Sequence, residues 1–519
     1  MNGLPILTLI TLLPLLAAIV VAGLGGQRRL ARGLAFLSSL LSLALALVLW
    51  RSFNAASGEL QFIERHAWIP TLGVNYFVAV DGLGLLMVML TAIITPMAML
   101  ASWRVEKSPS LFFSLVLFLQ AGLFGTFTAL NFFHWFLFWE LSLIPAFFLV
   151  RLWGGSQRAP AATQFFIYTM VGSVAMLLAF LAIFLATGKF DFIQLAELGR
   201  NGTLASALAA KLGWYGLNSH PLVLVIFGGV LLGFAVKVPL MPFHTWLPAT
   251  YAEAPSGVTM LLTGVMSKMG VYGFIRILLP IFGVQMGEPR VQAVLLSLAV
   301  ITIVFSACAA FAQRDLKRIL AYSSINHLGY CLLAVFAVAR YTGNDPAMAT
   351  EKAAALNGVF LQMFNHGLTA STLFWFVALI EKRSGGLRGL NDFGGLRKVA
   401  PIFCGLMGIA LFSSLGLPGL NGFVGEFLIF KGVFPLAPWA TAVSVIGLLV
   451  TAIFILTILQ RVFNGPLNEK WSKFPDLTPG EIGLLLIPIV LMFVLGLYPR
   501  LLLDVINPTA VQMVEQLKF

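Results

Sequence analysis

Residues 221–250 read PLVLVIFGGVLLGFAVKVPLMPFHTWLPAT, an apolar run of membrane-crossing length interrupted by Lys237, Pro239, Pro242 and Pro248. Proline lacks the helical N–H donor and its ring clashes with the preceding turn, so this run predicts a helix that breaks inside the apolar layer, beside a charged side chain. A second run behaves in the same way: residues 401–431 carry Leu417-Pro418-Gly419, then Gly422, Gly425 and Glu426. Lys237 and Pro418 are 181 residues apart, and the same offset separates the starts of the apolar runs near Leu111 and Gln292. Two units of five helices follow, and an odd number of helices per unit forces opposite orientations. Broken helices at matching places in inverted repeats point to a transport site near the bilayer midplane.

The composition is that of a polytopic membrane protein. Of 519 residues, 59% are apolar and 10% charged, and runs of about 20 apolar residues, the length that crosses a hydrocarbon core, recur from end to end. Hydropathy gives fourteen spans, near 4–24, 30–50, 82–102, 111–130, 132–153, 161–187, 221–250, 256–279, 292–312, 319–339, 353–380, 401–431, 437–461 and 479–498. The expected fold is all-α, a single integral membrane domain over 1–519. Helices 1–3 occupy 1–110, a first repeat of helices 4–8 occupies 111–280, an inverted repeat of helices 9–13 occupies 290–463, and helix 14 with a tail occupies 464–519. The run at 4–24 has no basic start and no small-residue cleavage site, so it is expected as a retained helix. Lys and Arg concentrate in one set of connections, Arg28, Arg29, Arg104, Lys107, Lys317 and Arg318 among them, and the positive-inside bias then places both termini outside. The net charge of +12 is a record of topology and not of nucleic-acid binding. Cys308, Cys331 and Cys404 fall in apolar segments without metal-ligand spacing, which argues for packing.

Four ionisable side chains stand inside the spans: Glu140, Lys237, Lys268 and Glu426. Charge at membrane depth is costly and by default marks an ion or proton path. Arg276 lies near the end of its expected span and should snorkel to the surface; Asp81 opens the third span and Glu253 sits in the link after the seventh. A Glu–Lys pair at about 4 Å is worth roughly 4 kcal/mol at an effective dielectric of about 20, enough to switch a relay lysine between loaded and empty. Glu140 and Lys237 equally fit a static ion pair that fixes helix packing. Lys268 has no acid in helical reach, so packing explains it less well. His327 and His366 fit either a relay or core histidines satisfied by a serine or carbonyl. His244, just past the break at Pro242, either braces the loop or lines its water. His66, His134 and His220 are placed at span ends or in outer connections, and Trp135, Trp139, Trp153 and Trp246 in a lipid belt and in packing. No glycine fingerprint after a strand, no phosphate loop and no cysteine cluster occurs, so the sequence offers no nicotinamide, flavin or iron–sulfur site and no metal site.

Lys237 through Pro248, the phrase Asp315-Leu316-Lys317-Arg318-Ile319-Leu320-Ala321-Tyr322-Ser323-Ser324, His327-Leu328-Gly329, Asn365-His366-Gly367-Leu368, and Leu417-Pro418-Gly419 through Gly425-Glu426-Phe427 together resemble the antiporter-like subunits of respiratory complex I, NADH-quinone oxidoreductase. The resemblance spans nearly the whole chain. It is greatest to the branch called subunit M, or subunit 4 in other lineages, because Glu426 stands where the sister L and N subunits and the corresponding cation/proton antiporter subunit usually have lysine. The length agrees, since the L subunit's long C-terminal lateral helix has no room after Phe519.

The resemblance implies broken seventh and twelfth helices and proton translocation driven by redox chemistry elsewhere in the complex. It implies that Glu140 pairs with Lys237, that Lys268 is the central relay, that His327 bridges toward the twelfth helix, and that Glu426 is the terminal donor to the outside. It implies no cofactor on this chain: NADH, FMN, iron–sulfur clusters and quinone belong to partner subunits, with L-like and N-like chains as neighbours, in a bacterial inner membrane or an equivalent energy-transducing membrane. One stretch departs from the pattern. After His244-Thr245-Trp246-Leu247-Pro248 the common continuation is an acid, an alanine and a histidine, but here it is Ala249-Thr250-Tyr251, then Ala252-Glu253. Glu253 standing in for the acid, an altered inner uptake of protons, and a divergent extra copy in an unusual complex are the three readings of that departure. Three functions compete: a redox-driven pump; a subunit of a cation/proton antiporter or hydrogenase-type complex, more typically with lysine at 426; and a structural spacer of a membrane arm.

Overall fold

The computed structural model describes residues 4–213, 219–343 and 345–517. In chain order the described elements are α1 (Ile6–Gly23), α2 (Arg28–Ser52), β1 (Gln61–Ile69), β2 (Val74–Val80), α3 (Gly82–Ala101), α4 (Pro109–Thr128), α5 (Phe132–Trp153), α6 (Arg158–Thr187), α7 (Phe192–Arg200), α8 (Thr203–Leu212), α9 (Ser219–Lys237) and α10 (Trp246–Glu253). There follow α11 (Ser256–Gly287), α12 (Pro289–Ala312), α13 (Leu316–Val338), α14 (Pro346–Ser384), α15 (Pro401–Ser414), α16 (Asn421–Val433), α17 (Pro438–Phe463), α18 (Pro479–Leu497) and α19 (Arg500–Gln516). Among the described residues thirteen helices are long and apolar enough to cross a membrane. The remaining expected span, at 401–431, is present as the two half-helices α15 and α16.

Several helices start where a short polar side chain accepts first-turn N–H groups that have no partner in the helix: Asp81 for α3, Asp315 for α13, Asp345 for α14 and Thr478 for α18. The bundle is apolar on its outside as well as in its core. Leu178, Val225 and Leu449 are more than 60% exposed, whereas α3, α11, α13 and α14 are almost wholly enclosed. Apolar side chains gain nothing by leaving lipid, so the interior is free to hold the polar ones, as membrane bundles allow.

Both expected breaks are present. The chain leaves α9 at Lys237 and runs without helix to Thr245 before α10, with the peptide bonds preceding Pro239 and Pro242 in cis. It leaves α15 at Ser414, and Gly416 and Gly419 adopt left-handed φ angles of 81° and 94° before α16 begins.

Other features differ from expectation. The connection after α2, in a fold expected to be all-α, forms an antiparallel hairpin of β1 and β2. It is tied to α1, where the Glu64 carboxylate accepts from the Leu7 and Thr8 N–H groups at 2.8 and 3.2 Å and from the Thr8 hydroxyl; a negative charge at a helix N-terminus is electrostatically favoured. Helix α11 runs on to Gly287 and α14 covers Pro346–Ser384, so both exceed their expected spans. Arg276 consequently lies well before the end of α11, and its guanidinium pairs with Asp81, the residue that opens α3 at a span end. Lys317 and Lys352, counted with the connections, are buried; the Lys352 ammonium donates to the Arg340 carbonyl at 2.6 Å.

Candidate functional site

Helix α11 widens into a π turn over Leu262–Met266, a local irregularity that recurs at functional sites. Beside it the Lys268 ammonium donates to the Thr263 carbonyl, five residues back. Lys268 is 0% exposed, and its Nζ lies 2.8 Å from Nδ1 of His366 on α14 and 3.5 Å from the Ser267 hydroxyl. The His366 ring lies with its centroid 5.1 Å from that of His327 on α13. His327 Nδ1 is 2.9 Å from Oε1 of Glu426 on α16. The second break makes this contact possible: Ser414, the last residue of α15, sits 3.3 Å from His327 Nε2, and Glu426 comes back to the same ring from α16. Gly416 leaves room there, because a Cβ at that position would lie 2.7 Å from Glu426 Oε2.

Four of the seven candidate residues thus form one buried line, Lys268–His366–His327–Glu426. Each member carries a titratable group, and each neighbouring pair is in hydrogen-bond or ring contact. An ammonium has only donors, so a charged Lys268 requires the lone pair of His366 Nδ1 and puts that imidazole's proton on Nε2. Gln362, one helical turn before His366, donates to Glu426 Oε1 at 3.1 Å. Sequence reasoning missed Gln362; an amide within the apolar stretch of α14 was its available signal.

Lys237 and Glu140 lie beyond this line. Lys237 is buried and its ammonium stands 4.8 Å over the Trp139 ring without a hydrogen-bond acceptor, while Glu140 Oε1 is likewise buried and unpartnered. The ion pair implied by the resemblance is therefore open in this structure. Trp139 is held in place by its Nε1–H, which donates to Ser173 at 3.0 Å. It and Trp135 are enclosed by protein, which corrects their placement in a lipid belt and keeps the packing half of that expectation. A small cavity bounded by Lys237, Trp246, Tyr251, Leu262, Met266 and Ser267, with room for about one water molecule, links Lys237 to the residue next to Lys268.

His244 is buried between Phe305 and Tyr322 with Nδ1 unpartnered, and the structure does not bring it to the line. His134 is also buried, its ring 4.7 Å from that of Tyr76 on the hairpin. Glu253 is engaged at the helix connections, where its Oε2 accepts from the Gln157 N–H at 2.8 Å.

Two half-broken helices around a buried file of acid, imidazole and amine groups, in a bundle with an apolar exterior, define an antiporter-like membrane protein. The family described as NADH:quinone oxidoreductase/Mrp antiporter, TM, matches residues 129–453, and the chain belongs to it, as an antiporter-like membrane subunit of the NADH-quinone oxidoreductase type. It is 36% identical to F(420)H(2) dehydrogenase subunit M of Methanosarcina mazei over 505 residues, 96% of each chain. It is 34% identical to NADH-quinone oxidoreductase subunit M of Rhodobacter capsulatus over 516 residues, 98% of this chain and 96% of that one. Among solved structures, a chain of respiratory complex I from Thermus thermophilus with bound NADH superposes with a TM-score of 0.81 at 28% identity, covering 98% of this chain and 99% of that one.

Proposed function

We propose that this chain carries protons across an energy-transducing membrane as one membrane-arm subunit of a larger redox-driven complex, with both termini on the outer side. The observation that carries this reading is the unbroken contact file Lys268–His366–His327–Glu426, which joins the two broken-helix units at bilayer depth. Protons loaded on Lys268 pass by the two imidazoles to Glu426 and outward, and the small cavity couples the charge on Lys237 to that loading. Opening and closing of the Glu140–Lys237 pair sets how firmly Lys237 holds its charge. Electron transfer belongs to partner subunits that hold the nicotinamide or other donor, flavin, iron–sulfur clusters and quinone, with L-like and N-like chains as membrane neighbours. The donor is a property of those partners, since the relatives' names mention NADH and F(420)H(2) alike.

The reading is tested by Lys268→Met and Glu426→Gln in the intact complex in sealed membrane vesicles, measuring protons moved per electron. Both variants should assemble and both should move fewer protons. Wild-type stoichiometry in both, with normal assembly, would make the chain a spacer.

A further inference from the structure

A second group of charges lies outside that file, where the α10–α11, α12–α13 and α14–α15 connections meet on the basic side of the bundle. Glu381, near the C-terminal end of α14, is 20% exposed, and its Oε2 is 3.1 Å from the ammonium of Lys317, itself 5% exposed. The same oxygen accepts from the Ser256 hydroxyl at 3.1 Å, and Oε1 lies 3.3 Å from Arg388. Arg388 also binds Asp315 at 2.5 Å and stands 3.8 Å from Glu253. The carboxylates beside Arg388 hold its guanidinium above its ordinary pKa, so it stays charged throughout. The other nearby cations, Lys382 and Arg383, turn to Glu481.

From this group a file of hydroxyls runs up α11. Ser256, Thr259, Thr263 and Ser267 recur every three to four residues and so share one helix face. The Ala254 carbonyl accepts from both the Lys317 ammonium and the Thr259 hydroxyl, each at 3.3 Å. One turn further, about 6 Å at 1.5 Å per residue, the Thr263 hydroxyl lies 2.9 Å from that of Ser324 on α13, and the Thr263 carbonyl holds Lys268. Thr259, Thr263 and Ser324 are all buried. Buried hydroxyls in line between an accessible carboxylate and a buried amine have the chemistry of a proton inlet. Glu253 is less open to the inner solution, 10% against 20% exposed for Glu381, and its Oε2 is held by the Gln157 N–H.

We propose that Glu381 is the inner proton acceptor that loads Lys268, through Lys317, Thr259, Thr263 and Ser324. Resting on the proton-carrying reading above, it adds the uptake site to that reading. Glu381 as carboxylate takes a proton from the inner solution and loosens from Lys317. The proton crosses the single-turn gap by way of water and hydroxyls, passes by the Ser267 hydroxyl, 3.5 Å from Nζ, to convert the Lys268 amine to ammonium, and leaves Glu381 as carboxylate again between Lys317 and Arg388. Only the proton is transferred.

The test uses the intact complex in sealed vesicles and follows proton transfer against the pH of the inner-side solution. Glu381→Gln keeps an acceptor for Ser256 and Lys317 but cannot carry a proton. It is expected to lower transfer by roughly tenfold or more, with the deficit growing as inner pH rises and direct delivery from hydronium becomes scarcer, while Glu381→Asp restores most of the rate. A merely structural Glu381 would not change the pH profile. If Glu381→Gln matches wild type in rate and profile while Glu426→Gln does not, the uptake proposal is overturned and the function stands. If Glu426→Gln also matches wild type, it is the function that fails. Should Glu381→Gln not assemble, Thr263→Val, which keeps the carbonyl that holds Lys268, should assemble normally and transfer severalfold more slowly; a wild-type rate there overturns the inlet.

Discussion

Nζ of Lys268 and Nδ1 of His366 lie 2.8 Å apart on two separate, deeply enclosed helices. Among the described residues no carboxylate faces this lysine; its acceptors are the Thr263 carbonyl, the imidazole and, at 3.5 Å, the Ser267 hydroxyl. His366 is therefore the stronger side-chain acceptor and, on the proposed path, the next proton carrier. His366→Ala should cut proton translocation in the intact complex by roughly tenfold, about 1.4 kcal/mol in barrier, without loss of assembly. His366→Asn offers an acceptor but no relay and should be nearly as poor. Wild-type translocation in both, measured in vesicles, would mean that Lys268 discharges by another route.

Gly416 turns the chain between the half-helices α15 and α16 with a φ of 81°. An L-residue there costs roughly 1–2 kcal/mol in backbone strain, and its Cβ would come to 2.7 Å from Glu426 Oε2. Gly416→Ala should lower the thermal midpoint of the purified complex and slow translocation by pushing Glu426 off His327. Gly408→Ala is the control, since within α15 its Cβ would meet nothing nearer than a Leu459 methyl at 3.9 Å. Equal behaviour of the two variants would show that the break tolerates a side chain.

At the end of the bundle where α1 begins, Glu64 joins the hairpin to that helix, and the Tyr76 hydroxyl lies 2.5 Å from that of Thr8. Glu64→Ala removes the acceptor for two helix N–H groups, a loss of about 1–2 kcal/mol, and should raise hydrogen exchange and protease cleavage across residues 61–80 with translocation chemistry unaltered. Burial pushes the Tyr76 phenol above its ordinary value. Its contribution to this tie is therefore complete below the ordinary tyrosine range and is lost as pH rises through the raised value. Hairpin protection that fell at neutral pH would contradict this.

The spans were legible in the sequence because hydropathy and proline act locally: the breaks at Pro239 and Pro418, and the isolation of Lys237, Lys268, Glu140 and Glu426, needed no tertiary knowledge. The partners of those charges were not legible. Arg276 finds Asp81 across 195 residues, an encounter that only the packing of α11 against α3 decides. His366 read as an isolated histidine and Gln362 was not singled out, and only the meeting of α14 with α13 and α16 makes them neighbours of one file. The hairpin was hidden for a different reason. Its strand Gln61–Ile69 lies mostly at the surface, so it carries no continuous buried face for a hydrophobic period to report. Trp139 reads as a lipid or packing residue because a sequence cannot say which ring lies beneath which ammonium.

That ring makes the last prediction. Trp139 and Glu140 are consecutive on α5 and therefore point to different sides of the helix; in this structure the ring, and not the carboxylate, faces the Lys237 ammonium, at 4.8 Å. A cation over an indole face in a desolvated site is worth about 2 kcal/mol, about half of the roughly 4 kcal/mol of a closed Glu–Lys pair, so the two neighbours compete for one charge. Trp139→Leu and Lys237→Met should consequently be non-additive in thermal stability, with a coupling of about 1–2 kcal/mol in a double-mutant cycle. In translocation, Glu140→Gln combined with Lys237→Met should lose less than the product of the single losses, because the pair acts as a unit. Trp139→Leu alone should slow translocation by letting Glu140 keep the ammonium. Additive stability losses, together with an unchanged rate in Trp139→Leu, would reduce Trp139 to a packing residue and leave Glu140 as the sole partner of Lys237.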